Sequence, residues 1–138
     1  MADRHESGVL DTCVYVDLHR YAAEDLPQFP VITAVTMAEL HQGVAMARGA
    51  EARAARLENL DAAVKEFDPL PFDSHSAARY GTLVTLVVAA GRSPRPRRFD
   101  LMMAAIASEH GLPLYTRNAA GFAGLAGVLT VVGVEPLG

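Results

Sequence analysis

The sequence predicts an α/β fold in which a parallel sheet of about five strands carries helices on both faces. Short, continuous apolar runs alternate along the chain with longer stretches whose apolar residues recur at helical spacing. Parallel strands are covered on both faces, so they are apolar throughout rather than at every second residue. The chain has 138 residues, of which 51% are hydrophobic, as expected for one compact domain. We therefore expect a single domain over residues 1–138, with a flexible leader over 1–7.

The first half of the chain predicts two strands and three helices. Residues 8–10 form a short apolar run that ends in a carboxylate, which is typical of a buried strand that opens into a loop. Apolar residues at helical spacing predict a helix over 13–21, and a second strand follows over 31–33. Helices over 35–47 and 51–67 then form a hairpin. Four residues of the second of these helices are expected to face the core: Leu57, Leu60, Val64 and Phe67.

Glycines and prolines divide the second half of the chain into further segments. In order, we expect an extended connector (68–72), a helix (73–90), a basic non-helical loop (92–98), a helix (99–110), a strand (112–116), a loop with one helical turn (117–127) and a fully buried strand (128–134). Pro94 and Pro96 disfavour a helix in the basic loop. Gly91 and Gly111 end the two helices.

Composition and charge exclude several classes of protein. The chain has 12 Lys+Arg against 16 Asp+Glu, a net charge of −4, which excludes a uniformly basic nucleic-acid-binding protein but allows a local basic patch. The one cysteine, Cys13, cannot form an internal disulfide, and no Cys/His spacing suits zinc. The longest apolar stretch, residues 83–90, is too short to cross a membrane, and the charged N-terminus is unlike a signal peptide. We expect a cytoplasmic protein.

Polar side chains gather where the predicted strands end. Asp11 follows the first strand, and Thr116 and Asn118 lie at the end of a later one. Two more acids, Glu39 and Asp100, lie near the first turns of otherwise apolar helices. Ligands of an open parallel sheet bind beyond the carboxyl ends of its strands, so we expect these residues at one site. Carboxylates placed together repel one another unless a divalent cation neutralises them, and oxygen ligands suit Mg²⁺ or Mn²⁺.

Each acid also has a purely structural interpretation. Thr36-x-x-Glu39 matches a capping box, in which Glu39 accepts from a backbone N–H. Asp100 suits the N-cap or first turn of its helix, and Asp11 can cap the helix that follows it. Taken singly, these interpretations are favoured, because caps are commoner than sites. Taken together, the three acids favour a metal site.

Four segments carry a resemblance to a known family: VLDTCVYVDL, AVTMAELHQGV, RRFDLMMAAIA and LYTRNAAGF. In this order and at these intervals they resemble the PIN-domain ribonucleases, and most of all the VapC-type toxins of bacterial type II toxin–antitoxin pairs. The resemblance covers nearly the whole chain. It implies a PIN-like parallel sheet flanked by helices, acids that bind Mg²⁺ or Mn²⁺, and endonucleolytic hydrolysis of RNA. It also implies a VapB-like antitoxin that covers the site, and a tendency to homodimerise.

The resemblance assigns roles to individual residues. It makes Asp11, Glu39 and Asp100 the catalytic acids and the metal ligands. Three polar residues are expected to support these ligands or to position water: Thr12, Thr116 and Asn118.

The chain departs from the family pattern at one place. Many members carry a further acid either at the position of Asn118 or three residues later, where this chain has Gly121. Without that acid, a second metal would be held weakly. Asp17, on the first helix, is a candidate to compensate for it.

Arginines supply the local positive charge that RNA requires. The arginine fork suits phosphate, and most arginines of the basic loop directly precede Asp100. Five are expected to contact RNA phosphates: Arg92, Arg95, Arg97, Arg98 and Arg117. The structural interpretation of the same loop is a solvated, solubilising surface.

Two alternative functions remain open. The missing fourth acid favours a catalytically weak PIN-like module that mainly binds its antitoxin or RNA. A phosphotransfer domain with Asp11 as nucleophile fits poorly, because haloacid-dehalogenase-like phosphatases have Asp-x-Asp where this chain has Asp11-Thr12-Cys13. We interpret Cys13 as a small buried residue rather than a nucleophile, since no histidine pairs with it in the sequence.

Overall fold

A four-stranded parallel sheet forms the centre of the computed structural model, which describes residues 5–138. The strands are β1 (Ser7–Leu10), β2 (Phe29–Val31), β3 (Leu114–Thr116) and β4 (Val131–Gly133). Their spatial order is β2-β1-β3-β4, and each neighbouring pair is parallel. Because β1 and β3 are the central strands, the residues that follow them meet in the middle of the carboxyl edge of the sheet.

Helices connect the strands within the described residues. They are α1 (Thr12–Val16), α2 (Ala34–Ala45), α3 (Ala50–Glu66), α4 (Ser74–Ala89) and α5 (Arg98–Glu109). Side-chain caps begin two of them: Thr33 accepts from the backbone N–H of Thr36 at 3.2 Å, and Asp73 accepts from that of Ser76 at 2.9 Å. No helix among the described residues has the length and apolar character needed to span a membrane.

The two faces of the sheet bury separate clusters of side chains. Val9 and Leu10 are both fully buried and point to opposite faces, as neighbours in a strand do. Leu10 packs with residues of α1, α2 and α3: Val14, Leu40, Val44, Leu60 and Ala63. Val9 packs with residues of α4 and α5: Leu83, Val87, Leu101, Ala104 and Ala105. The predicted α/β fold with helices on both faces is therefore confirmed.

The sheet is smaller than expected. It has four strands rather than about five, because the connector over 68–72 adds one isolated parallel bridge, between Leu70 and Thr33. Pro69 and Pro71 flank Leu70 and have no N–H to donate, which prevents a continuous strand there. The prediction of a fully buried final strand is wrong, because β4 lies at the edge of the sheet and is only partly buried.

Two helical predictions in the first half also need correction. The helix expected over 13–21 ends at Val16, and a 3-10 turn over Leu18–Arg20 follows it. Leu57 and Val64, expected in the core, are 41% and 59% exposed. α3 is buried at Leu60 and at Ala63 instead, so its inner face is narrow and partly made of alanine.

The basic loop and the leader differ in detail from the expectation. The loop contains a 3-10 turn over Arg95–Arg97, and α5 begins at Arg98. Pro96 lies near the start of that turn, where its missing N–H costs little. Residues 1–4 of the expected leader lie outside the described residues. The backbone carbonyls of the next two residues, His5 and Glu6, accept hydrogen bonds from the chain around β2.

Candidate active site

Asp11 lies at the carboxyl end of β1, in the N-cap position of α1, and is 7% exposed. Its side chain does not cap that helix. Instead its Oδ2 accepts a hydrogen bond from the hydroxyl of Thr116, at the end of β3, at 2.8 Å. The Thr116 hydroxyl also accepts from the backbone N–H of Asn118 at 3.0 Å. Because β1 and β3 are parallel neighbours, the polar residues that end both strands form one connected group.

Glu39 projects from α2 and accepts a hydrogen bond from the hydroxyl of Thr12 at 2.7 Å. The capping-box interpretation is wrong, because α2 begins earlier and is capped by Thr33. The Thr12 hydroxyl has one proton and gives it to the carboxylate, so the hydroxyl of Thr36, 2.9 Å away, donates to Thr12. Glu39 is thus oriented by a chain of hydroxyls.

Asp100 lies in the first turn of α5, whose N-cap position is occupied by Arg97. It makes no cap; its Oδ2 lies 3.3 Å from a terminal nitrogen of Arg97. The Arg97 guanidinium in turn lies 5.1 Å from the centre of the Phe122 ring, a cation–π contact. The arginine is therefore fixed between an aromatic ring and a carboxylate.

The three acids influence one another electrostatically. Burial raises the pKa of Glu39, and the charges of Asp11 and Asp100 raise it further, against the opposing effect of the Thr12 hydrogen bond. Burial and the charge of Asp11 raise the pKa of Asp100, and Arg97 counteracts them. The charge of Asp11 thus acts on both Glu39 and Asp100, and the charge of Asp100 acts on Glu39.

The donor chemistry of this site fits a hard divalent cation. Oxygen ligands suit Mg²⁺ and Mn²⁺. Such an ion would favour the ionised form of these carboxyl groups, against the burial and the mutual repulsion that raise the pKa values of Glu39 and Asp100. The contacts with Thr116, Thr12 and Arg97 each use one oxygen of a carboxyl group, and the Cys13 thiol also hydrogen-bonds to Asp11. Over residues 5–138, no three His, Cys, Asp or Glu side chains are arranged to hold an ion as they stand. One shared ion would therefore require the carboxyl groups to turn toward each other.

Two arginines line a cleft beside these acids. The cleft has a volume of about 360 Å³, and its lining residues are Glu39, Arg95, Pro96, Arg98, Phe99 and Asp100. It therefore brings guanidinium groups and two of the three carboxyl groups to the same opening.

The other predicted phosphate contacts already have protein partners. Arg117 pairs with Asp17 at 3.3 Å, and Arg92 donates to the carbonyl of Ala120 at 3.4 Å. Asp17 also lies 3.6 Å from Arg20, so the candidate replacement for the fourth acid takes part in two ion pairs. Burial and the charge of Asp11 raise the pKa of the Cys13 thiol to about 11, which agrees with its interpretation as a structural residue.

Two features of the site have no counterpart in the sequence-based prediction. The fully buried hydroxyl of Thr36 supports the residue that orients Glu39. The guanidinium of Arg97 fills the space beside Gly121, where a Cβ would overlap it. The sequence gives one hint of the Arg97 placement, since Gly121 stands where many members of the family have an acid.

Comparison with known proteins gives consistent matches in sequence and in structure. Scanned against models of protein families, the chain matches none. It is 34% identical over 134 residues to ribonuclease VapC5 of Mycobacterium tuberculosis (strain ATCC 25618 / H37Rv), which covers 95% of this chain and 96% of that protein. Its fold resembles that of VapBC-5 from Mycobacterium tuberculosis, a member of the VapBC family of toxin–antitoxin systems, with a TM-score of 0.81, 32% identity, and coverage of 94% of this chain and 98% of the other.

A third match is more distant. The crystal structure of FitAcB from Neisseria gonorrhoeae matches with a TM-score of 0.70 and 26% identity, covering 91% of this chain and 96% of the other. The similarity in sequence thus extends over almost the full length of the chain and is accompanied by similarity of fold. This chain belongs to the VapC family of PIN-domain ribonuclease toxins.

Proposed function

We propose that this chain is the toxin of a toxin–antitoxin pair and hydrolyses RNA phosphodiester bonds as a metal-dependent endoribonuclease. VapC ribonucleases generally depend on a divalent metal ion. One observation carries the proposal for this chain. Glu39 and Asp100, from two different helices, line one cleft together with Arg95 and Arg98, and the charge of Asp11, at the end of β1, acts on both acids.

The acids and their hydrogen-bond partners have distinct roles in this mechanism. Asp11 and Asp100 would hold Mg²⁺ or Mn²⁺, and Glu39 would ligate the ion or orient the attacking water. An ion held by these residues would supply a more acidic water as the attacking group and would offset the charge of the scissile phosphate. Thr116 and Thr12 keep the carboxyl groups of Asp11 and Glu39 in place through the bonds described above.

The amide of Asn118 is the remaining polar group at the end of β3. Its backbone N–H donates to Thr116, so the residue is held beside Asp11. Its side-chain oxygen or nitrogen would contact a water or a phosphate oxygen. This role needs no charge, which agrees with an amide at that position.

RNA approaches through the cleft in this proposal. The chain has a net charge of −4, so the attraction for phosphate has to be local. Arg95 and Arg98 line the opening beside Asp100 and would bind the phosphates on either side of the scissile bond. Arg92 and Arg117 would contact further phosphates along the RNA. For this, Arg117 would have to break its ion pair with Asp17 and bind a phosphate instead.

The proposed protein partner is a VapB-like antitoxin that covers the acidic site. The support comes from the relatives: one solved structure is of a VapBC toxin–antitoxin system, and this chain covers 98% of the matched chain. We further propose that the toxin forms a homodimer, which measurement of its mass in solution by light scattering tests.

The function is tested with purified protein, RNA and Mn²⁺. Wild type should cleave the RNA, EDTA should stop it, and Asp11→Asn and Asp100→Asn should each lose most of the activity, because a direct metal ligand is removed. Asp61→Asn is a matched control, since Asp61 is exposed on α3, away from the site. Equal cleavage by wild type and the two site variants would identify a contaminating nuclease and refute the proposal.

A second candidate is a module that binds antitoxin or RNA with little catalysis. The observation that favours it is the ion pair between Arg97 and Asp100, which engages one of the three acids within the protein. The same assay separates the two functions. Retention of RNA without Mn²⁺-dependent cleavage would favour the binding module over the nuclease.

A further inference from the structure

The placement of Arg97 is unusual for a residue of a basic surface loop. Its side chain is 18% exposed and forms an ion pair with Asp100 at 3.3 Å. One face of the guanidinium packs on the Phe122 ring. A Cβ at Gly121 would overlap both terminal nitrogens of the guanidinium. Only a glycine at position 121 therefore allows the arginine to lie where it does.

We propose that Arg97 is a positioning residue for Asp100 and a permanent positive charge of the metal site, so that the site takes a single divalent cation. Charge balance supports this count. Among the described residues, Arg97 is the arginine that forms an ion pair with one of the three acids, whereas Arg95 and Arg98 are left for RNA phosphates. Three ionised carboxylates and this guanidinium leave two net negative charges, which one divalent ion neutralises. A second ion would bring the site to a net positive charge beside the guanidinium, which like-charge repulsion opposes.

Gly121 and Arg97 act as a pair in this proposal. An acid at position 121, which the family resemblance leads one to expect, would add a negative charge and would also exclude the guanidinium from its present place. This chain has the reverse arrangement, with an arginine in the space and no acid. The inference rests on the proposed function, because it concerns the same metal site.

The number of bound ions tests the proposal without measuring activity. Mn²⁺ titration followed by electron paramagnetic resonance should count one ion per wild-type chain. The double variant Arg97→Ala/Gly121→Asp should bind two, because it replaces the guanidinium with a fourth carboxylate. Arg97→Lys, which keeps the charge, should still bind one. Two ions in wild type, or one in a double variant that melts cooperatively, would overturn the inference.

Single glycine substitutions give an independent measurement if the double variant does not fold. Gly121→Ala forces the guanidinium out of its present place beside Asp100, so Mn²⁺ should bind about fivefold more tightly, since a like charge is moved away from the ion. RNA cleavage by the same variant should nevertheless slow, because Asp100 is no longer oriented. Gly127→Ala is the matched control, since a Cβ at Gly127 meets no atom within 4 Å.

The outcomes separate the inference from the proposed function. Unchanged Mn²⁺ affinity in Gly121→Ala would overturn the role of Arg97 while leaving the nuclease intact. Weaker Mn²⁺ binding by Gly121→Ala would show that the orientation of Asp100 outweighs the positive charge of Arg97, and would overturn the claim that this charge limits the site to one ion. Failure of the wild-type protein to bind Mn²⁺ at all would refute the metal-dependent mechanism, and the inference with it.

Discussion

Replacing Thr116 with valine tests whether the buried hydroxyl at the end of β3 holds Asp11 in place. Thr116 is fully buried, donates to Asp11 at 2.8 Å and accepts from the N–H of Asn118 at 3.0 Å. Valine keeps the shape of the side chain and removes both hydrogen bonds. A bond to a charged group contributes about 1.5–3 kcal/mol, and the unpaired N–H adds to the loss, so the free energy of unfolding should fall by about 2–4 kcal/mol. For a chain of 138 residues, this lowers Tm by about 7–14 °C.

Thermal unfolding and RNA cleavage measure the two consequences separately. Thr130→Val is the matched control, because Thr130 is exposed, and its Tm should stay within about 2 °C of wild type. Cleavage by Thr116→Val in Mn²⁺ should slow by about tenfold or more, since a misplaced ligand disturbs the reacting geometry. If Thr116→Val unfolds and cleaves as wild type does, the hydroxyl does not hold Asp11 and the reasoning fails.

Three further predictions concern charge and packing. Because the pKa of Glu39 is raised in the folded protein, the fold is more stable at low pH, where Glu39 is protonated, and loses this stability as pH rises through the raised pKa. Glutamine stays neutral at every pH. Glu39→Gln should therefore raise Tm by about 1–3 °C at pH 7 and leave Tm unchanged near pH 4. In EDTA, Arg95→Ala/Arg98→Ala should weaken RNA binding and reduce the slope of log Kd against log salt by about 1.4, whereas an unchanged slope would exclude both contacts. In denaturant unfolding, Leu60→Ala should cost about 2–5 kcal/mol and Leu57→Ala less than about 0.5 kcal/mol; equal costs would contradict the observed packing of α3.

The fold and the outline of the site were predictable where the relevant pattern is local. Asp11 and Thr116 each end a short apolar run, and parallel neighbouring strands bring such ends together. The four helices from α2 to α5 follow apolar spacing and stop signals that a single stretch of sequence contains. For these elements, the periodicity and the breaking residues predict where the helices lie, although not which residues of α3 are buried.

The predictions that failed depend on which neighbour an element meets. Leu57 and Val64 recur at the same helical spacing as Leu60. However, α3 packs against the rest of the protein through a narrow face that buries Leu60 and Ala63, so Leu57 and Val64 remain exposed. The burial of β4 depends on its place at the edge of the sheet, which its apolar sequence does not reveal.

The pairing of Arg97 with Asp100 shows the same limit at the site. The two residues are three apart in sequence, which permits the contact on a helical turn. The position of the guanidinium, however, depends on Gly121 and Phe122 in a distant loop. No local pattern connects these segments, so the sequence alone identified the arginine only as part of a basic run.

In the proposed mechanism, Asp11, Glu39 and Asp100 share one divalent ion. Anomalous scattering from Mn²⁺ in crystals of the protein tests this arrangement most directly. We predict one peak per chain, with carboxylate oxygens of Asp11 and Asp100 at about 2.0–2.3 Å and Glu39 bound to the ion directly or through one water. A peak elsewhere on the protein, with the three carboxyl groups still bound only to Thr116, Thr12 and Arg97, would contradict the account.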